Sequence, residues 1–221
     1  MRVLIVGGGP VDLDQLKREL AKEPDLIIAA DAGGKHLHDI GRFPHILMGD
    51  FDSLAGEIVQ ETCRAGVELF TFPIAKDQTD IELAVDLSLA RRATEIRIIG
   101  GMGGRLDHTL GNIGLLLKAS QQGVPAFLVD SEQEVTVTSG DIQIPCAVGI
   151  GLSVIPLTLK ASGVTTTGLK YPLTNADLYF HQTLGIHNEC TGKTAGISVK
   201  EGVLLIITFQ EKKPNLLSSQ N

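Results

Sequence analysis

The sequence predicts an α/β fold, in which an N-terminal, largely parallel sheet flanked by helices is followed by a C-terminal all-β sandwich domain. Three observations carry this. Over residues 1–130, short apolar runs alternate with segments of helical period, the pattern of parallel strands joined by crossover helices. From residue 131 to 221 the helical periods stop, and short β-type runs follow one another between turns rich in Gly, Pro, Asn and Ser, as in sandwiches. No repeat or low-complexity linker separates the two parts, so two directly packed domains, 1–130 and 131–221, are expected.

The elements justify this in order. Strands are expected at 3–6, 26–30, 45–48, 67–72, 96–99 and 126–129, where short runs rich in apolar residues occur. The clearest helices are TDIELAVDLSLARRA (79–93) and LDHTLGNIGLLLKASQQG (106–123). In the first, Ile81, Val85 and Leu89 share one face, and Thr79 with Glu82 three residues on forms a capping-box pattern. The second stops at Gly123 and Pro125, a glycine cap followed by a residue that cannot continue a helix. The later runs EVTVTS, GIGLSVIPLTL, GVTTTGLKY, AGISVK and VLLIITF supply the β domain.

Composition narrows the function. The formal net charge is −7 and no basic face is visible, which argues against a nucleic-acid partner or an anionic membrane surface. No apolar run approaches the roughly 20 residues that span a bilayer, and the chain enters its first strand without a basic leader; a cytoplasmic protein is expected. Cys63, Cys146 and Cys190 are far apart and unpaired in spacing, unlike a disulfide framework or zinc site. There is no Trp and there are only two Tyr, so stacking on a ligand falls to Phe, His or Tyr.

Chemistry-bearing residues gather behind the strands. Asp31, Gly33 and Gly34 follow the second strand, and Asp50, Asp52 and Ser53 the third. Lys76, Asp77, Gln78, Thr79 and Asp80 follow the fourth, while four glycines, Arg105, Asp107 and His108 follow the fifth. In an open parallel sheet these strand ends form one rim, where ligands bind. Each feature also has a plainer reading. Asp after a strand often caps a helix, one of Asp77, Thr79 and Asp80 is needed for capping, and residues 7–9 make a simple turn. The glycines at 100–104 match neither a dinucleotide fingerprint nor a Walker A loop, yet they suit a backbone cradle for an anion. His36, His38, His45 and His181 lack metal-ligand spacing and read as surface or packing residues.

Capping does not require Asp-x-Asp. Asp50 and Asp52 point to the same side of an extended backbone, and like charges so close need a cation, backbone donors or water. Hard oxygen donors in this number suit Mg²⁺, which keeps one or two carboxylates, several waters and a substrate's phosphates. Lys76 and Arg105 can neutralise the remaining phosphate oxygens. The residue types therefore point to Mg-nucleotide chemistry.

The strings GDFDS, KDQTD and GGMGGRLDH, in this order and spacing, with TTTGLKYPL (165–173), TLGIHNE (183–189) and EGVLLIIT after them, resemble the thiamine pyrophosphokinase family. The resemblance covers nearly the whole chain. It implies a nucleotide-binding α/β domain, a thiamine-binding β-sandwich, and a homodimer with active sites at the subunit interface. The implied reaction is ATP plus thiamine giving AMP plus thiamine diphosphate. It further implies Asp50, Asp52 and Asp80 as the Mg²⁺ and phosphate ligands, with Asp107 near the reacting hydroxyl. Lys76, Gln78, Thr79 and Arg105 would touch ATP, on a rim that also takes in Asp31, Gly33, Gly104 and His108. His187 and Asn188 sit at the thiamine-contacting turn, where His187 departs from the family's usual Ser. Either Asp80 or Asp107 would accept the hydroxyl proton. The surplus of acids also suits a substrate with a cationic thiazolium ring. The competing expectations are a diphosphokinase acting on another alcohol, such as a pterin, and a non-catalytic Mg-nucleotide sensor.

Overall fold

The computed structural model describes residues 1–50, 56–72 and 77–210, without the side chains at 57 and 59. Asp52 and Lys76 lie outside the described residues. The chain divides into two compact units, Met1–Asp130 and Ser131–Asn221.

In the first unit, strands β1 (Arg2–Val6), β2 (Leu26–Ala30), β3 (Ile46–Gly49), β4 (Glu68–Thr71), β5 (Glu95–Ile99) and β6 (Ala126–Val129) alternate with five helices. These are α1 (Leu13–Leu20), α2 (Gly33–His38), α3 (Gly56–Arg64), α4 (Asp80–Ala90) and α5 (Leu106–Gln121). All neighbouring strands are parallel, in the order β6-β5-β1-β2-β3-β4. Leu16 of α1, Leu37 of α2 and Ile58 of α3 pack with Leu4, Val6, Ala29, Leu47 and Ile99 of the sheet. Helix α4 lies against β1, β2 and β3, and α5 against β6. Covered on both faces, β1, β2 and β3 are almost continuously buried, whereas the edge strand β4 is largely exposed. The chain winds outward from β1 to β4 and then returns to β5 beside β1. That reversal makes the β1/β5 boundary the switch point where such sheets open a crevice.

Local chemistry sets the helix ends. The Thr79 hydroxyl accepts the Glu82 N–H at 3.1 Å, so α4 begins at Asp80. The reciprocal half of the capping box is replaced, because the Glu82 carboxylate meets Lys118 of α5 at 3.2 Å. Helix α4 ends at Ala90, short of the expected residue 93, where Arg92 turns left-handed at φ 61°. Helix α5 closes as Gly123 N–H bonds Ser120 O and Val124 N–H bonds Ala119 O, with Gly123 at φ 75°, a Schellman arrangement.

The second unit is all β: β7 (Gln133–Thr138), β8 (Ile142–Pro145), β9 (Gly151–Pro156), β10 (Lys160–Thr167), β11 (Ala176–Tyr179), β12 (Asn188–Glu189), β13 (Thr194–Ser198) and β14 (Leu204–Phe209). Antiparallel pairing gives the orders β12-β9-β14-β7 and β11-β10-β13-β8. Leu152, Val154, Leu204 and Ile206 of the first set bury against Ala161, Val164, Leu178 and Ile197 of the second. This is a sandwich core built from the inward-facing residues of each strand. Among the described residues, no helix is long and apolar enough to cross a membrane.

Candidate active site

A cleft of about 440 Å³ opens in the first unit at the carboxyl ends of β1, β2 and β5. Gly8, Gly9 and Pro10 form one wall, Asp31 and Ala32 a second, and Thr79, Asp80 and Ile81 a third. The last wall is the glycine turn after β5, continued by Arg105, His108 and Asn112. The volume and concavity are those of a small-molecule site.

Close backbone approach builds this cleft. The turns after β1 and β5 are joined by Gly7 N–H to Ile99 O at 2.8 Å and Gly9 N–H to Gly100 O at 3.0 Å. A Cβ on Gly9 would lie 2.5 Å from Gly100 O, so only glycine permits this seam. Gly33 meets main chain. A Cβ there would stand 1.9 Å from the Val6 carbonyl oxygen, so α2 is seated directly on the end of β1.

The acids distribute around the opening. Asp31 is half-buried with a left-handed φ of 49°, and its N–H bonds Met48 O at 2.7 Å. Asp50 follows β3 directly, and Gly49 packs against Asp31. Asp80 is half-buried at the first position of α4 and lines the cleft. Gln78 is drawn elsewhere: its amide donates to Asp86 at 3.0 Å, and Asp86 in turn binds Lys118 at 2.5 Å. Its side chain serves the α4–α5 seam, and the cleft wall begins at Thr79.

At the start of α5 the Arg105 guanidinium forks onto Asp107, Nε to Oδ1 at 3.1 Å and Nη2 to Oδ2 at 2.5 Å. The His108 N–H adds a bond to Oδ1 at 2.9 Å. The Arg105 hydrogen bond is the main reason that the Asp107 carboxyl is held down at about 2, and the same bond raises Arg105. Both side chains are exposed, at 73% and 62%, so the pair is free to exchange partners.

Two braces escape sequence reasoning. Asn112 is buried and donates to Gly101 O at 2.7 Å, fixing the glycine turn. A carboxamide set within the run LGNIGLLL of α5 was the available signal. His36 bonds Gly9 O through Nε2 at 3.0 Å and steadies the opposite wall, a role with no signature in spacing.

In the second unit, His187 is left-handed at φ 61° and its N–H donates to Ser153 Oγ at 2.9 Å. Asn188 is buried, and its carboxamide bonds both main-chain groups of Tyr171. The described residues therefore bring Asp31, Thr79, Asp80, Gly104, Arg105 and His108 to one cleft. Gly33 lies in the α2–β1 contact and Asp107 in the grip of Arg105, while His187 and Asn188 belong to the other unit.

Comparison with known proteins covers most of the chain. Residues 17–128 match the family model described as thiamin pyrophosphokinase, catalytic domain, and residues 141–204 match thiamin pyrophosphokinase, vitamin B1 binding domain. The chain is 34% identical to a thiamine pyrophosphokinase of Bacillus subtilis (strain 168), over 92% of this chain and 96% of that protein. It is 28% identical to thiamin pyrophosphokinase 1 of Caenorhabditis elegans, over 76% and 70%. The crystal structure of a thiamine pyrophosphokinase from Bacillus subtilis superposes with a TM-score of 0.84 at 31% identity, covering 96% of this chain and all of that one. That of a thiamin pyrophosphokinase from Geobacillus thermodenitrificans gives 0.83 at 32%, covering 96% and 99%. This chain belongs to the thiamine pyrophosphokinase family.

Proposed function

We propose that the protein transfers a diphosphate group from ATP to the hydroxyl of thiamine, giving thiamine diphosphate and AMP. One observation carries the reading: a glycine-walled cleft at the sheet's switch point joins Asp31, Asp80 and Arg105 in a chain matched by both family domains.

The donor set fits magnesium. Asp50, Asp52 and Asp80 offer hard carboxylate oxygens, and among the described residues no three acidic, His or Cys side chains form a protein-only cage. Mg²⁺ does not need one, since water and phosphate complete its shell. When bound by these aspartates, Mg²⁺ supplies neutralisation of the phosphate charge. The chain's own groups do the rest. The glycine turn and the first N–H groups of α5 face the phosphates. Arg105 leaves Asp107 for phosphate oxygens, which match its planar fork equally well. Lys76, Thr79, Gly104 and His108 complete the ATP side, and His187 and Asn188 the thiamine side.

The thiamine oxygen bonds to the β-phosphorus, the bond from that phosphorus to the bridging oxygen breaks, and AMP carries the bridging oxygen away. The hydroxyl proton passes to Asp80 or Asp107. A loose transition state of this kind needs alignment and charge neutralisation from the protein more than covalent help. The reading extends to a homodimer with active sites at the subunit interface, supported by the family resemblance, and to the cytoplasmic location expected from the sequence. Sedimentation equilibrium reads the first as twice the chain mass.

Purified protein with ATP and Mg²⁺ is assayed for AMP release with thiamine or a pterin alcohol as acceptor. Thiamine-dependent AMP and thiamine diphosphate are expected. Turnover with the pterin alone identifies a different acceptor, and ATP binding without AMP under either acceptor identifies a sensor.

A further inference from the structure

The segment TTTGLKYPL leaves β10 as a loop whose two ends are tied together. Thr166 N–H bonds Leu173 O at 2.9 Å, and the Thr166 hydroxyl accepts the Leu173 N–H at 2.8 Å. The Thr165 hydroxyl accepts the Asn175 N–H at 3.0 Å. Along one side the loop runs antiparallel to the segment 188–191. Thr191 N–H bonds Gly168 O, Leu169 bridges Cys190, and Lys170 N–H bonds Glu189 O at 2.9 Å.

At Tyr171 this main-chain ladder runs out. Successive residues of a strand turn their main-chain groups to opposite edges, and Asn188 pairs with Leu152 of β9. Its side chain takes over the missing rung. Asn188 Oδ1 accepts the Tyr171 N–H at 3.0 Å and the Glu189 N–H at 2.9 Å, while Nδ2 donates to Tyr171 O at 2.7 Å. Asn188 is only 9% exposed, whereas Tyr171, the residue it holds, is 64% exposed. A carboxamide spent on three internal bonds has little left for a ligand, and a large ring left in solvent on a pinned backbone is preorganised for one.

We propose that Asn188 is a positioning residue that splints the Tyr171 loop, so that its effect on thiamine is exerted through this loop and not through its own contact with the substrate. The inference rests on the thiamine reading above.

The test pairs Asn188→Ala with Asn188→Asp, measuring amide exchange over 168–174 without substrate and thiamine kinetics. Loss of a hydrogen bond to a buried partner is expected to speed exchange at the Tyr171 amide by about tenfold in Asn188→Ala and to raise thiamine KM by about tenfold, with a much smaller change in kcat. Asn188→Asp keeps the acceptor for Tyr171 N–H and Glu189 N–H, so protection is retained and KM stays near the wild-type value. A raised KM with unchanged exchange in Asn188→Ala makes Asn188 a direct ligand and overturns the proposal. A loosened loop with unchanged KM overturns it equally. Should the alanine variant fail to fold, the aspartate variant decides: restored protection with near-wild-type KM supports the splint, and a KM loss with full protection refutes it. Absence of thiamine turnover in the unmodified protein is a failure of the broader reading, which the substrate-free exchange measurement separates from this one.

Discussion

Arg105 and Asp107 form a two-pronged ion pair across a single intervening residue, at 3.1 Å and 2.5 Å, on the rim of the cleft. Each is therefore the other's partner in the absence of substrate, and a phosphate group must compete with a carboxylate for the same guanidinium face. The pair itself favours the charged form of both before any ligand arrives.

The first prediction concerns pH. Arg105 stabilises the ionised form of Asp107 and holds its carboxyl at about 2, below the ordinary 3.8. Because the folded value is depressed, the pair's contribution is present above pH 3.8 and lost as the pH falls toward 2. Carboxyl carbon NMR is expected to give a midpoint near 2 for Asp107, moving toward 3.8 in Arg105→Ala. An unchanged midpoint would assign the depression to something other than Arg105.

Replacing Arg105 with Lys retains a charge but loses the planar fork. A point charge cannot span two phosphate oxygens, so kcat/KM for ATP should fall by roughly 10²-fold while the melting midpoint stays put. Near-normal kinetics in Arg105→Lys would remove the clamp role.

Chelation of divalent ions should stop turnover, and added Mg²⁺ should restore it. Asp50→Asn should raise the Mg²⁺ concentration needed for half-maximal rate by about 10- to 100-fold. The circular dichroism spectrum should not change, because a residue at a strand's open end contributes little to the core. Identical Mg²⁺ titrations for the two proteins would count against Asp50 as a ligand.

Gly33→Ala and Gly104→Ala should separate by mechanism. The first drives a Cβ to 1.9 Å from the Val6 carbonyl oxygen, and main chain cannot yield as a side chain does. A cost of about 3 kcal/mol, or a midpoint lowered by roughly 6–12 °C, follows. At Gly104 the nearest atom is Pro10 Cδ at 3.8 Å. Only its backbone angle, φ 109°, opposes alanine, at about 1–3 kcal/mol. Differential scanning calorimetry ranks the two, and a smaller loss for Gly33→Ala would contradict the packing argument.

Far from the cleft, Glu19 is 2% exposed, bonded to Arg97 at 2.6 Å and to Gln15 and Lys22 at 3.0 Å each. Burial alone would raise its carboxyl, but the bonds and charges of Arg97 and Lys22 outweigh this and lower it. Glu19→Ala removes the carboxylate that the Arg97 guanidinium meets at 2.6 Å, an expected loss of about 3–5 kcal/mol or roughly 6–20 °C in thermal midpoint. A loss below about 1 kcal/mol would show that the pair behaves as an exposed one.

The linear sequence by itself determined the alternation of strand and helix, the change to β texture near residue 131, the Thr79 cap and the Gly123 stop. These depend on period and on neighbours within a few positions, which a chain encodes locally. It also determined that Asp31, Asp80, Arg105 and His108 would converge, because residues that follow parallel strands share one end of the sheet wherever they stand in the chain. Only the tertiary structure decided partners. It gave Gln78 to Asp86, Asp107 to Arg105, Gly33 to the packing of α2 on β1, and Asn112 and His36 to the cleft's turns. Hydrogen bonds and charge pairs fall off within a few ångströms, so which group wins a side chain depends on distances that exist only once the elements have packed.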